Sequence, residues 1–170
     1  MLTTLPPRLL AGPTTDPTTD RPATLDHAGI AAMIPHRGRM CLLERLLQWS
    51  ADAIHCSASS HRDADNPLRG SAGLLAPCAI EYAAQAMALH GGLLACRSGP
   101  PQGGYIAVVR EVRFAVPSLH DIEGELQIHA QRVAGDGQVV SYRFRVDDAA
   151  GRRLAEGRAT VVLEPAESTR

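Results

Sequence analysis

Aromatic residues are scarce in this chain, where Phe, Trp and Tyr make up only 4% of the sequence. So few aromatic side chains argue against a surface on which nucleic-acid bases stack. The formal net charge of −1 offers phosphate groups no electrostatic attraction either. The chain also lacks an apolar run near the ~20 residues that a membrane-spanning helix needs. We therefore expect neither a nucleic-acid partner nor a membrane span.

Cysteine is present but lacks the spacing of a metal site. The four thiols are Cys41, Cys56, Cys78 and Cys96. None belongs to a Cys-x-x-Cys pair, and a mixed cluster with His55 and His61 has no recognisable ligand spacing, so we expect no metal. All four lie in apolar or strand-like contexts, which favours buried, reduced thiols in a cytoplasmic protein. The apolar stretch 9–11 is too short for the core of a signal peptide.

A single compact domain fits the length of 170 residues and the 45% content of hydrophobic residues. Residues 1–25 are rich in Thr, Pro and Asp and predict a flexible N-terminal tail. We expect the domain to span 26–165 and residues 166–170 to form a flexible C-terminus. At the start of the domain, Asp26 is a suitable N-cap for a short helix through Met33, which Pro35 ends.

One long helix is predicted from Pro77 to Ala95, because proline suits the first turn and apolar residues follow at helical spacing. The spacing is carried by Ile80, Ala84, Met87, Gly91 and Leu94. The other faces are rich in Ala and Leu, and a helix that is apolar on almost every side is normally buried on several sides.

Alternation of apolar and polar residues predicts strands on both sides of this helix. Two precede it, at 41–49 and 53–59, and four follow it, at about 105–116, 124–130, 140–146 and 155–163. Short turns between the last strands indicate antiparallel pairing. The order predicts an α+β fold in which a curved sheet covers the helix. A lone subunit would leave one face of that sheet hard to bury, so we expect a dimer.

Several motifs occur in the order found in 3-hydroxyacyl-(acyl carrier protein) dehydratases, which have the hotdog fold. That family opens with Leu-Pro-His-Arg and an apolar strand ending in Asp-Arg, and this chain has the similar segment 34–45, with His36 and Arg37. His61, followed by Asn-Pro at 66–67, resembles the family's histidine loop. Glu81 and Gln85 match its Glu-x-x-x-Gln helix start, and the segment 112–114 matches its Val-Arg-Phe strand.

The runs 60–68 and 80–88 are most similar to the dehydratase-like hotdog subgroup associated with aryl polyene biosynthesis. The resemblance implies a fatty-acid or polyene intermediate as substrate, bound as a thioester to the phosphopantetheine arm of an acyl carrier protein, with no other cofactor. It also implies a homodimer, or a heterodimer with another hotdog subunit, in which His61 and Glu81 meet across the interface.

Dehydration of a 3-hydroxyacyl thioester needs a base for the C2 proton and an acid for the departing C3 hydroxyl. We expect His61, as an exposed loop histidine, to be the base, and Glu81 to be the acid or to orient a water that is the acid. Gln85 would support Glu81 through a hydrogen bond. Free N–H groups near Cys78 and Ala79 would polarise the thioester carbonyl.

Two other functions stay open on the sequence alone. A hotdog thioesterase would use the carboxylate to activate water and would not need the loop histidine. A non-catalytic partner subunit would complete the site of another hotdog chain. The second alternative is motivated by the histidine loop, since the family's Gly-His-Phe-Pro is replaced here by Ser60-His61-Arg62-Asp63. His36 and Arg37 are expected to stabilise a turn rather than to take part in catalysis.

Overall fold

The computed structural model describes residues 22–95, 104–135 and 138–163, so the predicted C-terminal segment and most of the predicted tail lie outside the described residues. Within these residues, the domain contains two α-helices and six strands. The helices are α1 (His27–Met33) and α2 (Ala79–Ala95), and the strands are β1 (Arg45–Trp49), β2 (Ala53–Ala58), β3 (Gly104–Phe114), β4 (Leu126–Gly135), β5 (Val139–Asp147) and β6 (Arg153–Leu163). Among the described residues, no helix is long and apolar enough to cross a membrane.

All six strands belong to one antiparallel sheet with the order β1-β2-β4-β5-β6-β3. Helix α2 packs against β2, β4 and β5 in the middle of this sheet. Alternate residues of β4 and β5 point into the core, including Leu126, Ile128, Tyr142 and Phe144, as their period-two pattern predicts. The structure confirms the predicted α+β hotdog architecture.

The start of the domain is fixed by caps and by contacts to β1. Asp26 caps α1 as predicted, accepting a hydrogen bond from the Gly29 amide at 2.9 Å. Leu25 forms an isolated antiparallel bridge with Leu46, and the Trp49 indole donates to the carbonyl of Pro22. Residues 22–25 therefore lie along β1, inside the stretch that the sequence assigns to the tail.

The first strand is shorter than its prediction. Instead of starting at Cys41, β1 starts at Arg45, after a 3₁₀ turn at Gly38–Met40. Cys41, Leu42 and Leu43 are all buried in succession, which no strand with one solvent-facing side allows. The reason is that the amide of Leu42 donates to the Gln85 side chain of α2 rather than to a neighbouring strand.

Strand β3 departs from the predicted alternation. It pairs with β6 through two irregularities of register, between 106 and 108 and between 110 and 113, and Glu111 adopts a positive φ of 53°. Such bulges rotate the following side chains, so the half-buried residues Ile106, Val109 and Val112 come at intervals of three. Tyr105, Val108 and Phe114 are exposed on this strand, whose outer edge has no paired strand in the described part of the chain.

The predicted long helix is present, but a 3₁₀ turn at Ala76–Cys78 replaces its first turn. Its most buried face contains Tyr82, Ala86, Leu89 and Leu93. Apart from Met87, the predicted stripe is only half-buried, because the sheet of a single chain covers one side of the helix.

Candidate active site

Glu81 lies in the first turn of α2, where a carboxylate is favoured by the unpaired N–H groups of the helix. Its Oε1 atom lies 3.2 Å from Nε2 of His36 and accepts a hydrogen bond from Nε2 of Gln85 at 3.0 Å. The side chain is 31% exposed, so the carboxylate is held from one side and open on the other. The hydrogen bond from His36 is the main cause that lowers the pKa of Glu81, and the bond from Gln85 acts in the same direction against the effect of burial.

Gln85 connects this carboxylate to the chain segment that precedes β1. Its Oε1 accepts from the amide of Leu42 at 2.8 Å, and its Nε2 donates to the carbonyl of Met40 at 2.7 Å as well as to Glu81. The side chain is completely buried. The Glu-x-x-x-Gln spacing therefore places a rigid amide one helical turn after the acid, which is the contact expected from residues four apart.

The structure places His61 differently from its prediction as an exposed loop residue. It lies in a 3₁₀ turn, Ser60–Arg62, and its side chain is 0% exposed. Its Nε2 is 3.0 Å from the carbonyl oxygen of Ile122, while Nδ1 is buried without a hydrogen-bond partner in the described structure. Burial lowers the pKa of His61, so the ring is neutral near pH 7. The polar loop folds inward because Asn66 and Ser60 satisfy its backbone and side-chain groups from within.

A chain of hydrogen bonds joins the histidine turn to the start of α2. Asn66 donates to the hydroxyl of Tyr82 at 3.1 Å, and this hydroxyl is 3.0 Å from Oγ of Ser60. Because Ser60 already donates to the carbonyl of Leu42, it accepts from Tyr82. Burial raises the pKa of Tyr82 to about 12, which keeps its proton in place for that bond. The neighbours of His61 and of Glu81 are thereby held in one network.

The expected oxyanion site is not formed by the two predicted amides. The N–H of Cys78 donates to the carbonyl of Leu75 at 3.0 Å, and that of Ala79 is bonded to the carbonyls of Ala76 and Pro77. The 3₁₀ turn uses these donors before the α-helix begins, so neither is free to polarise a carbonyl. This corrects the assignment made from the sequence, which assumed that the helix started at Pro77.

Other polar features lie away from this site. A surface hollow of about 740 Å³ is lined by residues of the sheet's outer face, among them His55, His129 and Arg143, and by neither His61 nor Glu81. Within the described residues, no three His, Cys, Asp or Glu side chains are close enough together to hold a metal ion. Cys41, Cys56 and Cys78 are free thiols, and Cys96 lies outside the described ranges.

Sequence reasoning missed two residues of the site. The sequence predicts a role in a turn for His36, because it shows only the place of this residue in the opening motif, yet the ring contacts Glu81. Arg37 does stabilise that turn, since its guanidinium donates to the carbonyls of Ala31, Ile34 and His36. Tyr82 carries no signal in the sequence beyond its position next to Glu81, and its polar contacts to Ser60 and Asn66 are visible only in the structure.

The fold and this site define a hotdog protein with an ionised acid at the start of its central helix. The sequence profile of ApeP dehydratases, designated ApeP-like, matches residues 28–170. The chain therefore belongs to the ApeP dehydratase family, which confirms the resemblance to dehydratase-like hotdog proteins drawn from the sequence. A search of curated proteins found no match.

Solved structures agree with this fold. One chain in the structure of the dehydratase heterocomplex ApeI:P from Xenorhabdus doucetiae is 26% identical to this chain. Its TM-score is 0.72 over 82% of this chain and 92% of that chain. A thioesterase from Haemophilus influenzae is 12% identical, with a TM-score of 0.55 over 75% of this chain and 82% of that chain. A hypothetical thioesterase with coenzyme A from Streptococcus pneumoniae is 11% identical, with a TM-score of 0.53 over 72% of this chain and 87% of that chain. The two thioesterases share only the fold with this chain.

Proposed function

We propose that this protein eliminates water from a 3-hydroxyacyl thioester carried by an acyl carrier protein, in fatty-acid or aryl polyene-type biosynthesis. The reaction breaks the C2–H and C3–O bonds, forms a C2=C3 double bond and releases water. The observation that carries the proposal is Glu81, a partly exposed carboxylate fixed at the start of the central helix of a dehydratase-family fold. The substrate's own phosphopantetheine arm is the only prosthetic group that this chemistry requires.

The ionisation of Glu81 supports one of its two possible roles. A group whose pKa is lowered by hydrogen bonds from His36 and Gln85 carries no proton at neutral pH. We therefore assign Glu81 to orienting a water, in preference to donating its own proton. This water gives a proton to the leaving hydroxyl and recovers one from the His61 ring, which has taken it from C2.

The protonation of His61 supports its role as the base. The carbonyl oxygen of Ile122 can only accept, so Nε2 of His61 carries the proton of the neutral ring. Nδ1 is then the basic nitrogen, and it has no protein partner within the described residues. For this nitrogen to take the C2 proton, the acyl chain has to reach a ring that is completely enclosed in the single chain.

The exposed surfaces support assembly with a second hotdog subunit. Strand β3 ends the sheet with exposed Tyr105, Val108 and Phe114, and an unpaired apolar edge is a ready site for another strand. Helix α2 leaves Ile80 and Ala84 half-buried beside Glu81. A partner that covers both features would enclose the carboxylate and exclude water from the reacting carbons.

The test is dehydration of a 3-hydroxyacyl-carrier protein by the purified chain, followed by the appearance of the enoyl product. We expect activity in the wild type and its loss in His61→Ala and Glu81→Gln. His55→Ala and Glu156→Gln, both on the outer face of the sheet, are the matched controls and should keep full activity. Release of free thiol that depends on Glu81 and not on His61 would instead indicate a thioesterase.

A second candidate function is that of a non-catalytic partner subunit. Two observations favour it: His61 is enclosed by its own chain, and the relative from Xenorhabdus doucetiae is a heterocomplex. In that case the folded chain is inactive alone, and activity appears when it is purified with a second hotdog subunit. His61→Ala in this chain would then leave the activity of the pair unchanged, which distinguishes this function from the first proposal.

A further inference from the structure

We infer that His36 is a positioning residue for Glu81, because it binds one carboxylate oxygen, Oε1, and so leaves the other, Oε2, to face the substrate. This inference rests on the proposed role of Glu81 in dehydration. It assigns a function to the histidine of the opening Pro-His-Arg segment beyond stabilising a turn.

The contacts of the two carboxylate oxygens differ. Both His36 and Gln85 approach Oε1, at 3.2 Å and 3.0 Å from their Nε2 atoms. Among the described residues, no hydrogen bond is formed to Oε2. Two contacts to one oxygen restrict the plane of the carboxylate, and the side chain as a whole is 31% exposed, so water or substrate can reach this group.

Both donors are anchored to the same segment, 34–42. The position of the carboxylate is therefore set by this segment as well as by the rotamer of Glu81. Around His36 the backbone is fixed by Arg37, whose guanidinium donates to the carbonyls on either side of Pro35. Gln85 is bound to Met40 and Leu42 in that segment. Rigid support of this kind is what keeps a reacting group in place during turnover.

The ring of His36 is itself constrained. Its side chain is 26% exposed, but Nδ1 is buried and has no hydrogen-bond partner in the described structure. Its Nε2 contacts Oε1 of Glu81 at 3.2 Å. A buried nitrogen without a partner is unfavourable. This ring orientation is therefore not explained by the stability of the turn, whereas it does bring Nε2 to Glu81.

Few other titratable groups act on the carboxylate. In the segment 34–42, His36 lies beside the Glu81 carboxylate, while the Arg37 guanidinium is bound to backbone carbonyls. From the helix start it is Cys78, whose thiol pKa is raised by burial and, to a smaller extent, by the charge of Glu81. The pKa of Glu81 therefore depends chiefly on the His36 hydrogen bond, more than on the charge of that histidine.

The experiment compares His36→Phe, which removes the donor, with His36→Gln, which keeps an amide N–H near the position of Nε2. We expect His36→Phe to lower kcat about 10- to 100-fold with little change in KM, and His36→Gln to recover most of it. His55→Phe, on the outer face of the sheet, is the control and should behave as the wild type.

An NMR titration of the Glu81 carboxyl carbon gives a readout that does not need turnover. The midpoint should rise in His36→Phe and return towards the wild-type value in His36→Gln. An unchanged midpoint in both variants, or equal losses of kcat together with lowered thermal stability, would overturn the inference. If the folded wild type is inactive with and without a partner subunit, the proposed function fails, and the titration still decides the role of His36.

Discussion

The hydroxyl of Tyr82 accepts a hydrogen bond from the side-chain amide of Asn66 at 3.1 Å. The two residues flank the two halves of the site, because Tyr82 follows Glu81 in α2 and Asn66 closes the loop that begins with His61. The same hydroxyl donates to Ser60, the residue before His61. The relative position of the acid and the histidine turn is thus set by a buried polar network, which rigidifies a protein only when all its members are satisfied.

Tyr82→Phe should destabilise the protein, because it leaves Ser60 and Asn66 each with one hydrogen bond fewer. We expect a loss of about 1–2 kcal/mol in the free energy of unfolding, measured by urea denaturation. Tyr105→Phe, which removes an exposed hydroxyl, should change it by less than about 0.5 kcal/mol. Equal effects of the two substitutions would contradict the importance of the network.

Gln85→Leu should lower the free energy of unfolding by more than the similar volumes of Gln and Leu suggest. It removes the partners of the Leu42 amide and the Met40 carbonyl, and a buried group without a partner costs about 1–3 kcal/mol. We expect a loss of about 2 kcal/mol or more in the free energy of unfolding, while Gln131→Leu at an exposed position of β4 stays near zero. The idea fails if Gln85→Leu unfolds at the wild-type urea concentration.

Local patterns predicted much of the fold and some of the site. The strands β4 and β5 and the Asp26 cap depend on neighbours in sequence, so their signals are present in the chain itself. The bulges of β3 depend on its register with β6, which alternation cannot reveal.

The site was predicted less completely because its contacts are made between distant segments. Glu81 and Gln85, one turn apart on a helix, were recognisable as a pair. His36 reaches Glu81 only once the opening segment has packed against α2, and His61 is buried only because the 60–68 loop folds onto the chain. The oxyanion role of the Cys78 and Ala79 amides assumes an ideal helix start at Pro77. The 3₁₀ turn that uses their N–H groups is visible only in the folded chain.

Acid should destabilise the protein through histidines whose charged form is disfavoured in the folded state. Burial is the main cause that lowers the pKa of His61, His90 and His129, in the last case to about 4. The unfolded chain therefore binds more protons than the folded one below about pH 6.5, so stability is full above that pH and falls as the pH decreases. Urea unfolding at pH 7.5, 6 and 5 should show this decrease. His129→Gln should reduce the slope, and an unchanged slope would contradict the assignment.

Gly73→Ala should disturb the loop that leads into α2. Gly73 has a φ of +86°, and a Cβ atom there would lie 2.2 Å from Cε1 of His120, whose Nδ1 accepts a hydrogen bond from the amide of Leu74. We expect a loss of about 1–3 kcal/mol in the free energy of unfolding from the backbone conformation alone. The matched control is Gly70→Ala, since Gly70 pairs with Gly73 through two backbone hydrogen bonds but has open space around its Cα. That variant should stay within about 0.5 kcal/mol of the wild type, and a comparable loss in both would mean that the loop tolerates no side chain at either position.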